Sequence, residues 1–237
     1  MIVVGTTLAP YVMDQVDTWA AWLYNAEQIA ESHDVRFFAA IETDSRGIGF
    51  FQPLADRLRE LGGEWWEFRF DDGVDQITTD NRLRRIVTGQ NIVSMYTESI
   101  GATHLLFLAA DTQAPDDTIP KFLEMDYPII GGNLWETYRQ DGPVVATNKR
   151  TNLPFGFEVK EQLLSVAFVM VETPLLKKIR WRFEPERGRA GDDDQCFCDD
   201  AARNGWPALV RTDVIGTHYP LAIPPIEDRG HDMKVYR

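Results

Sequence analysis

The chain has 237 residues, 44% of them hydrophobic, and a formal net charge of −13. This describes a globular protein large enough to bury a sizeable core, and no apolar run approaches the roughly 20 residues that span a bilayer. The acidic balance argues against tight sequence-independent binding to nucleic acid, which rests on Lys and Arg neutralising phosphates.

The first ten residues lack a basic region and run straight into a strand at Ile2–Val4, so no signal peptide is expected and a cytoplasmic location is. Gly5 to Pro10 reads as the loop after that strand. A helix follows over roughly 14–32, with Val16, Trp19, Ala20, Leu23, Ala26 and Ala30 at helical spacing. Val35 to Ile41 is a second strand, ending in Glu42-Thr43-Asp44. A helix over about 52–61 stops at Gly62-Gly63, as a C-cap should. Trp66, Phe68 and Phe70 alternate with polar neighbours, which predicts a third strand nearer an edge. Asp80 is expected to cap a longer helix carrying Ile86, Val93, Tyr96 and Ile100. The apolar run Leu105 to Ala110 ends at Asp111 and reads as a buried strand of a parallel sheet. A turn and a helix capped by Asp116 or Asp117 come next. Four rounds of strand then helix imply a parallel sheet with right-handed crossovers.

After Asp126 the pattern changes. Pro128 to Gly132 predicts a strand ending in Gly-Gly-Asn, and residues 134–160 are rich in turn formers. Ser165–Val171 reads as a strand, Pro174–Ile179 as a short helix, Asp192–Asn204 as a helix, and Leu209–Val214 as a last strand before Gly-Thr-His. The segment from Ile223 looks like a tail. With no linker-like boundary, the chain reads as one domain: a nucleotide half over 1–126, an acceptor half over 127–222 and a tail over 223–237. Cys196 and Cys198, two apart, do not face each other on a helix and form neither a zinc site nor a disulfide framework; they are expected to be half-buried helix residues.

Asp111 would sit at the carboxyl end of a central strand, where open α/β sheets place their ligands. A carboxylate there can hold a hard divalent cation together with phosphates. The alternative is a strand end that only caps a turn.

Six motifs occur in order: Arg85 to Asn91 on the helix before the central strand; Ala109-Ala110-Asp111 at its end; Tyr127 to Asn133; Ser165 to Val171 followed by Trp181-Arg182-Phe183; Gly191 to Trp206; and Asp213 to His218. Together they resemble a GT-A fold glycosyltransferase of the family 2 type over roughly residues 1–220. The resemblance implies an α/β, Rossmann-like, mostly parallel sheet flanked by helices, with a mixed acceptor-side region. It implies an enzyme of the hexosyltransferase class (EC 2.4) that moves a sugar from a nucleotide-diphosphate sugar, UDP-sugar favoured, to an acceptor hydroxyl. The chain departs from the family at Ala109, where the usual Asp-x-Asp has its first aspartate.

On that resemblance Asp111 and His218 would bind Mn²⁺ or Mg²⁺, a mixed oxygen and nitrogen set that suits either ion; a loop histidine bonded to backbone is the alternative for His218. Asp193 and Asp194 stand where the family has Glu-Asp. Asp194 would be the base that takes the acceptor proton, implying inversion, and Asp193 would touch sugar hydroxyls. Capping and the helix dipole also favour aspartates at that place. Thr6, Thr7 and Leu8 would offer a backbone ledge and hydroxyls to the nucleotide. Glu42 or Asp44 would bond base or ribose, with turn chemistry as the alternative. Asn91 would bond base or phosphate, or else stand as a solvated helix residue, and Arg85 would help neutralise the diphosphate, or else belong to a solvated basic face. Trp135 and Tyr138 could stack on a sugar ring or serve packing.

The expected acceptor is a hydroxyl on a protein, glycan or small molecule. Duplex DNA is disfavoured by the charge, although Lys177 to Arg182 form one dense basic cluster. The rival classes are a non-catalytic nucleotide-sugar binder, suggested by Ala109, and a nucleotidyltransferase, to whose phosphate loop the segment Gly5 to Pro10 is a poor match.

Overall fold

A computed structural model describes residues 1–9, 17–31, 33–43, 49, 51–70, 79–138, 145–148, 158–161, 165–206 and 208–218. The first half is a parallel sheet. Its strands are β1 (Ile2–Leu8), β2 (Val35–Glu42), β3 (Glu64–Phe68) and β4 (His104–Leu108), ordered β3-β2-β1-β4. Parallel neighbours need long crossovers. Helices α1 (Asp17–Ala30), α2 (Gln52–Glu60) and α3 (Thr79–Ser99) lie in them.

Successive side chains of a strand point to opposite faces. Ile2, Val4 and Leu8 of β1 therefore meet Trp22, Leu23, Ala26 and Leu54 of the first two helices. Val3 meets Val87, Val93 and Tyr96 of α3 on the other face. Both faces are covered, which is why β4 reads as a continuous apolar run; β1 extends to Leu8, past the Val4 end expected, through Gly5-Thr6-Thr7. β3 is the edge strand, but it does not keep the expected alternation: Trp65 packs on one face of the sheet and Phe68 on the other, Trp66 is exposed, and Phe70 lies beyond its end. There Phe38 stacks on Tyr96 at 3.9 Å, and Trp66 stands edge-on to both rings at 5.5 and 5.8 Å.

The second half is mixed. Its described strands are β5 (Thr112–Gln113), β6 (Ile129–Tyr138), β7 (Val145–Asn148), β8 (Glu158–Glu161), β9 (Phe168–Glu172) and β10 (Ala208–His218). Its helices are α4 (Thr118–Leu123), α5 (Thr173–Leu176) and α6 (Asp193–Arg203). The sheet continues β4-β9-β6-β10-β5, with β7 on β6 and β8 on β10. Only Ala109, Ala110 and Asp111 separate β4 from β5, so the sheet curls until its last strand on this path meets the continuation of its own centre.

Several sequence expectations shift here for physical reasons. β6 does not end at Gly-Gly-Asn, and β10 runs on through Gly216-Thr217-His218. These glycines are there for packing rather than turning. A Cβ on Gly132 would stand 2.1 Å from the Phe168 ring, and one on Gly216 would stand 2.8 Å from it. The buried ring occupies the space that a side chain at either glycine would need. β9 starts at Phe168, not Ser165, because residues 165–167 form a turn. Asp80 lies in the first turn of α3 rather than ahead of it. Cys196 and Cys198 are fully buried, not half-buried. The tail from Ile223 lies outside the described residues. Among those described, no helix is long and apolar enough to cross a membrane.

Candidate functional site

The loop between β4 and α4 is held from below by α1. The buried Trp22 donates its indole Nε1–H to the Leu108 carbonyl at 3.0 Å. Asn25 donates to the Ala114 carbonyl and accepts from the Ala114 amide, both at 2.7 Å. The Thr112 amide closes the turn by donating to the Ala109 carbonyl at 2.9 Å. Asp111 is thus presented between two clamped points. Opposite it, β10 pairs antiparallel with β5, His218 in register with Thr112. The result is that His218 Nε2 lies 3.0 Å from Asp111 Oδ2, with both side chains partly buried.

That spacing fits a shared cation. Two adjacent ligands of an octahedral ion, each about 2.1 Å from it, lie roughly 3 Å apart. One hard oxygen and one imidazole nitrogen suit Mn²⁺ or Mg²⁺ beside phosphate oxygens. Among the described residues no group of three or more His, Cys, Asp or Glu gathers to hold a metal.

The N-terminus of α6 is tied to the strand end that carries Asp111. Asp192 is its N-cap residue, yet its side chain makes no capping hydrogen bond. Asp194 is 8% exposed, and its Oδ1 accepts the Val166 amide at 2.9 Å. The same turn accepts the Ala109 amide at the Ala167 carbonyl, 2.8 Å away. Asp194 thus organises the 165–167 turn that braces the strand end carrying Asp111. Asp193 points elsewhere: its Oδ2 accepts Nε2–H of Gln90, from α3, at 2.9 Å. Burial, and next the neighbouring Asp194 charge, push the Asp193 carboxyl up to about 7, against the opposing pull of the Gln90 hydrogen bond.

The remaining expected residues divide. Thr6 and Leu8 are fully buried on β1, Leu8 in the core. The Thr6 and Thr7 hydroxyl oxygens are buried without a hydrogen-bond partner among the described residues. Glu42, 1% exposed, forms an ion pair with Arg85 of α3, so the two residues expected to act separately act as one unit; the Arg85 guanidinium also lies 5.2 Å from the Phe70 ring centre. Asp44 lies outside the described residues, as do the side chains of Trp135 and Tyr138. Asn91 takes neither of the roles expected of it. Its Nδ2 donates to the Val87 and Trp181 carbonyls and its Oδ1 accepts the Trp181 amide, so it anchors the segment leading to α6.

Gln90 and Asn25 gave no chemical signal in the sequence, since an amide on a helix reads as solvated. One clue was present: Gly89 in a helix interior is unfavourable by about 1 kcal/mol against Ala. A Cβ there would lie 2.2 Å from Thr7 Cγ2. The glycine lets α3 settle on the end of β1, which brings Gln90 and Arg85 to the carboxyl edge.

No protein-family model and no curated protein sequence matches the chain. Solved structures do. Residues 1–349 of S. aureus TarS in complex with UDP-GlcNAc superpose with a TM-score of 0.59 at 12% identity, covering 93% of this chain and 59% of that one. A longer S. aureus TarS structure gives 0.56 at 15% identity, covering 92% and 36%. GalNAc-T7 with UDP, GalNAc and Mn²⁺ gives 0.54 at 9% identity, covering 92% and 44%. The chain has the GT-A-like glycosyltransferase fold, and it spans less than two thirds of the length of each of these structures.

Proposed function

We propose that the protein is a glycosyltransferase that moves a sugar from a nucleotide-diphosphate donor to an acceptor hydroxyl with inversion. The observation that carries this reading is the Asp111–His218 pair, 3.0 Å apart at the end of a GT-A-like sheet, with the start of α6 tied to the same strand end through Asp194, the 165–167 turn and Ala109. UDP in the TarS and GalNAc-T7 complexes favours a UDP-sugar as donor.

Asp111 and His218 would hold Mn²⁺ or Mg²⁺, which when bound offsets the charge gathering on the departing diphosphate. Asp193 is the base in this reading. The acceptor hydroxyl gives its proton to Asp193 as its oxygen bonds to the anomeric carbon. The bond from that carbon to the diphosphate breaks, and its electron pair stays on the diphosphate oxygen. The base is assigned to Asp193 rather than Asp194 because Asp194 braces the backbone of the 165–167 turn through the Val166 amide, whereas Asp193 takes its hydrogen bond from a side chain, that of Gln90. Thr7, only partly buried near the end of β1, would face the nucleotide, and the partly buried Arg85 of the Glu42–Arg85 pair would offer its charge to the diphosphate.

The acceptor in this reading is a hydroxyl on a protein, glycan or small molecule, because a chain of −13 charge offers little to a polyanion. Ala109, in place of a second acidic residue, supports the rival reading of a non-catalytic nucleotide-sugar binder. Incubation with a panel of nucleotide sugars and Mn²⁺ separates the two. Release of nucleotide from one donor is the expected result; tight binding of a donor with no release under any condition favours the binder.

A further inference from the structure

Gln90 is 1% exposed on α3, with its Nε2 spent on Asp193 at 2.9 Å. Its Oε1 is buried and has no hydrogen-bond partner among the described residues. A buried acceptor left unmet is unfavourable, and an apolar side chain of similar size would avoid the penalty. Folding alone therefore gives little reason for a glutamine here. The backbone beneath it is equally particular, since Gly89 is what lets α3 approach Thr7 closely enough for Gln90 to reach α6.

We infer that Gln90 is a positioning residue for proton transfer: it anchors Asp193 Oδ2 and leaves Oδ1 as the atom that meets the acceptor hydroxyl. The inference rests on the reading of Asp193 as base. Donation to a carboxylate also favours its ionised form, the form that can accept a proton. Gln90 thus acts against the burial and the Asp194 charge that otherwise keep Asp193 protonated. The proton taken from the hydroxyl resides on Oδ1 while Oδ2 stays hydrogen-bonded to Gln90, so the carboxyl does not rotate during the step.

The test uses the full chain with ¹³C-labelled aspartate. The Asp193 carboxyl resonance is identified by its loss in Asp193→Asn and titrated in the parent, in Gln90→Leu and in Gln90→Glu. A hydrogen bond to a charged group corresponds to a shift of about 1–2 pH units. The Asp193 midpoint is expected to rise by that amount in Gln90→Leu and to rise also in Gln90→Glu, whose charge repels it. The acid limb of kcat/KM for donor turnover should move with it, kcat should fall even at high pH because the carboxyl is no longer held in one orientation, and the Tm of Gln90→Leu should be unchanged or higher. An unmoved midpoint in a folded variant, or loss of folding in both variants, makes Gln90 a packing residue and overturns the inference. Failure of the underlying reading looks different: Asp193→Asn would then turn over donor normally, whatever the Gln90 variants do.

Discussion

His218 Nε2 lies 3.0 Å from Asp111 Oδ2, although the two residues come from opposite halves of the chain. Neither strand end could achieve this alone. Asp111 is delivered by a parallel sheet and His218 by a long strand that returns antiparallel to β5. The curl of the sheet joins them.

If this pair holds a cation, Mn²⁺ should tighten UDP binding. Asp111→Ala and His218→Ala should each remove most of that metal dependence while leaving the unfolding free energy within about 1 kcal/mol of the parent, because both side chains are partly solvated. Calorimetry with and without chelator checks it. Equal UDP affinity in both conditions would sink the metal assignment.

The aspartate pair should separate cleanly. Asp193→Asn should bind donor normally and lose roughly 10²–10⁴-fold in turnover, the range of a lost general base. Asp194→Ala should instead destabilise the protein by about 1–3 kcal/mol, because it leaves the buried Val166 amide unsatisfied. Thermal melts and single-turnover kinetics on both variants decide between this assignment and the reverse.

Asp193 also carries a stability signature. A carboxyl with a higher pKa folded than unfolded binds extra protons in the native state, so its stabilising contribution is complete below about pH 4. That contribution is lost as pH rises through about 7. Asp193→Asn should therefore raise the Tm at pH 8 and change it little at pH 4. A Tm increase of the same size at both pH values would show that charge at Asp193 is not what strains the fold.

Asn25 offers a test of the loop clamp. Asn25→Leu deprives the Ala114 amide and carbonyl of their partner, and should lower stability by about 2–4 kcal/mol, with a parallel loss of Mn²⁺-dependent UDP binding. Denaturant melts and calorimetry on the same sample check both parts. Full stability with weakened binding, or the converse, would separate the loop from the cation site.

Gly89→Ala runs against helix propensity. Alanine should favour the isolated helix by about 1 kcal/mol. Here its Cβ would meet Thr7 at 2.2 Å, so the variant should instead be destabilised by about 1–3 kcal/mol and lose turnover as Gln90 and Arg85 move from the edge. A more stable, fully active Gly89→Ala would show that α3 has room to shift.

Much of this architecture was legible in the sequence because it rests on local pattern. Continuous apolar runs ending at Ile41 and Leu108 mark strands covered on both faces, and the helical spacing between the strands makes the sheet parallel, whereas β1 continues to Leu8 through Gly5-Thr6-Thr7, which read as a loop. Asp111 at the end of such a run was visible for the same reason. What the sequence did not determine depends on contacts between distant segments. Gly-Gly-Asn and Gly-Thr-His read as turns, and only the Phe168 ring shows why those strands continue through glycine. Two adjacent aspartates look alike in a sequence; which one meets Val166 and which one meets Gln90 depends on how α6 docks between a turn and another helix. Asn91 and Gln90 are neighbours of the same chemical class on one helix, yet one anchors the Trp181 backbone and the other a carboxylate. Their side chains leave the helix in directions 100° apart, and tertiary packing alone decides what each direction meets.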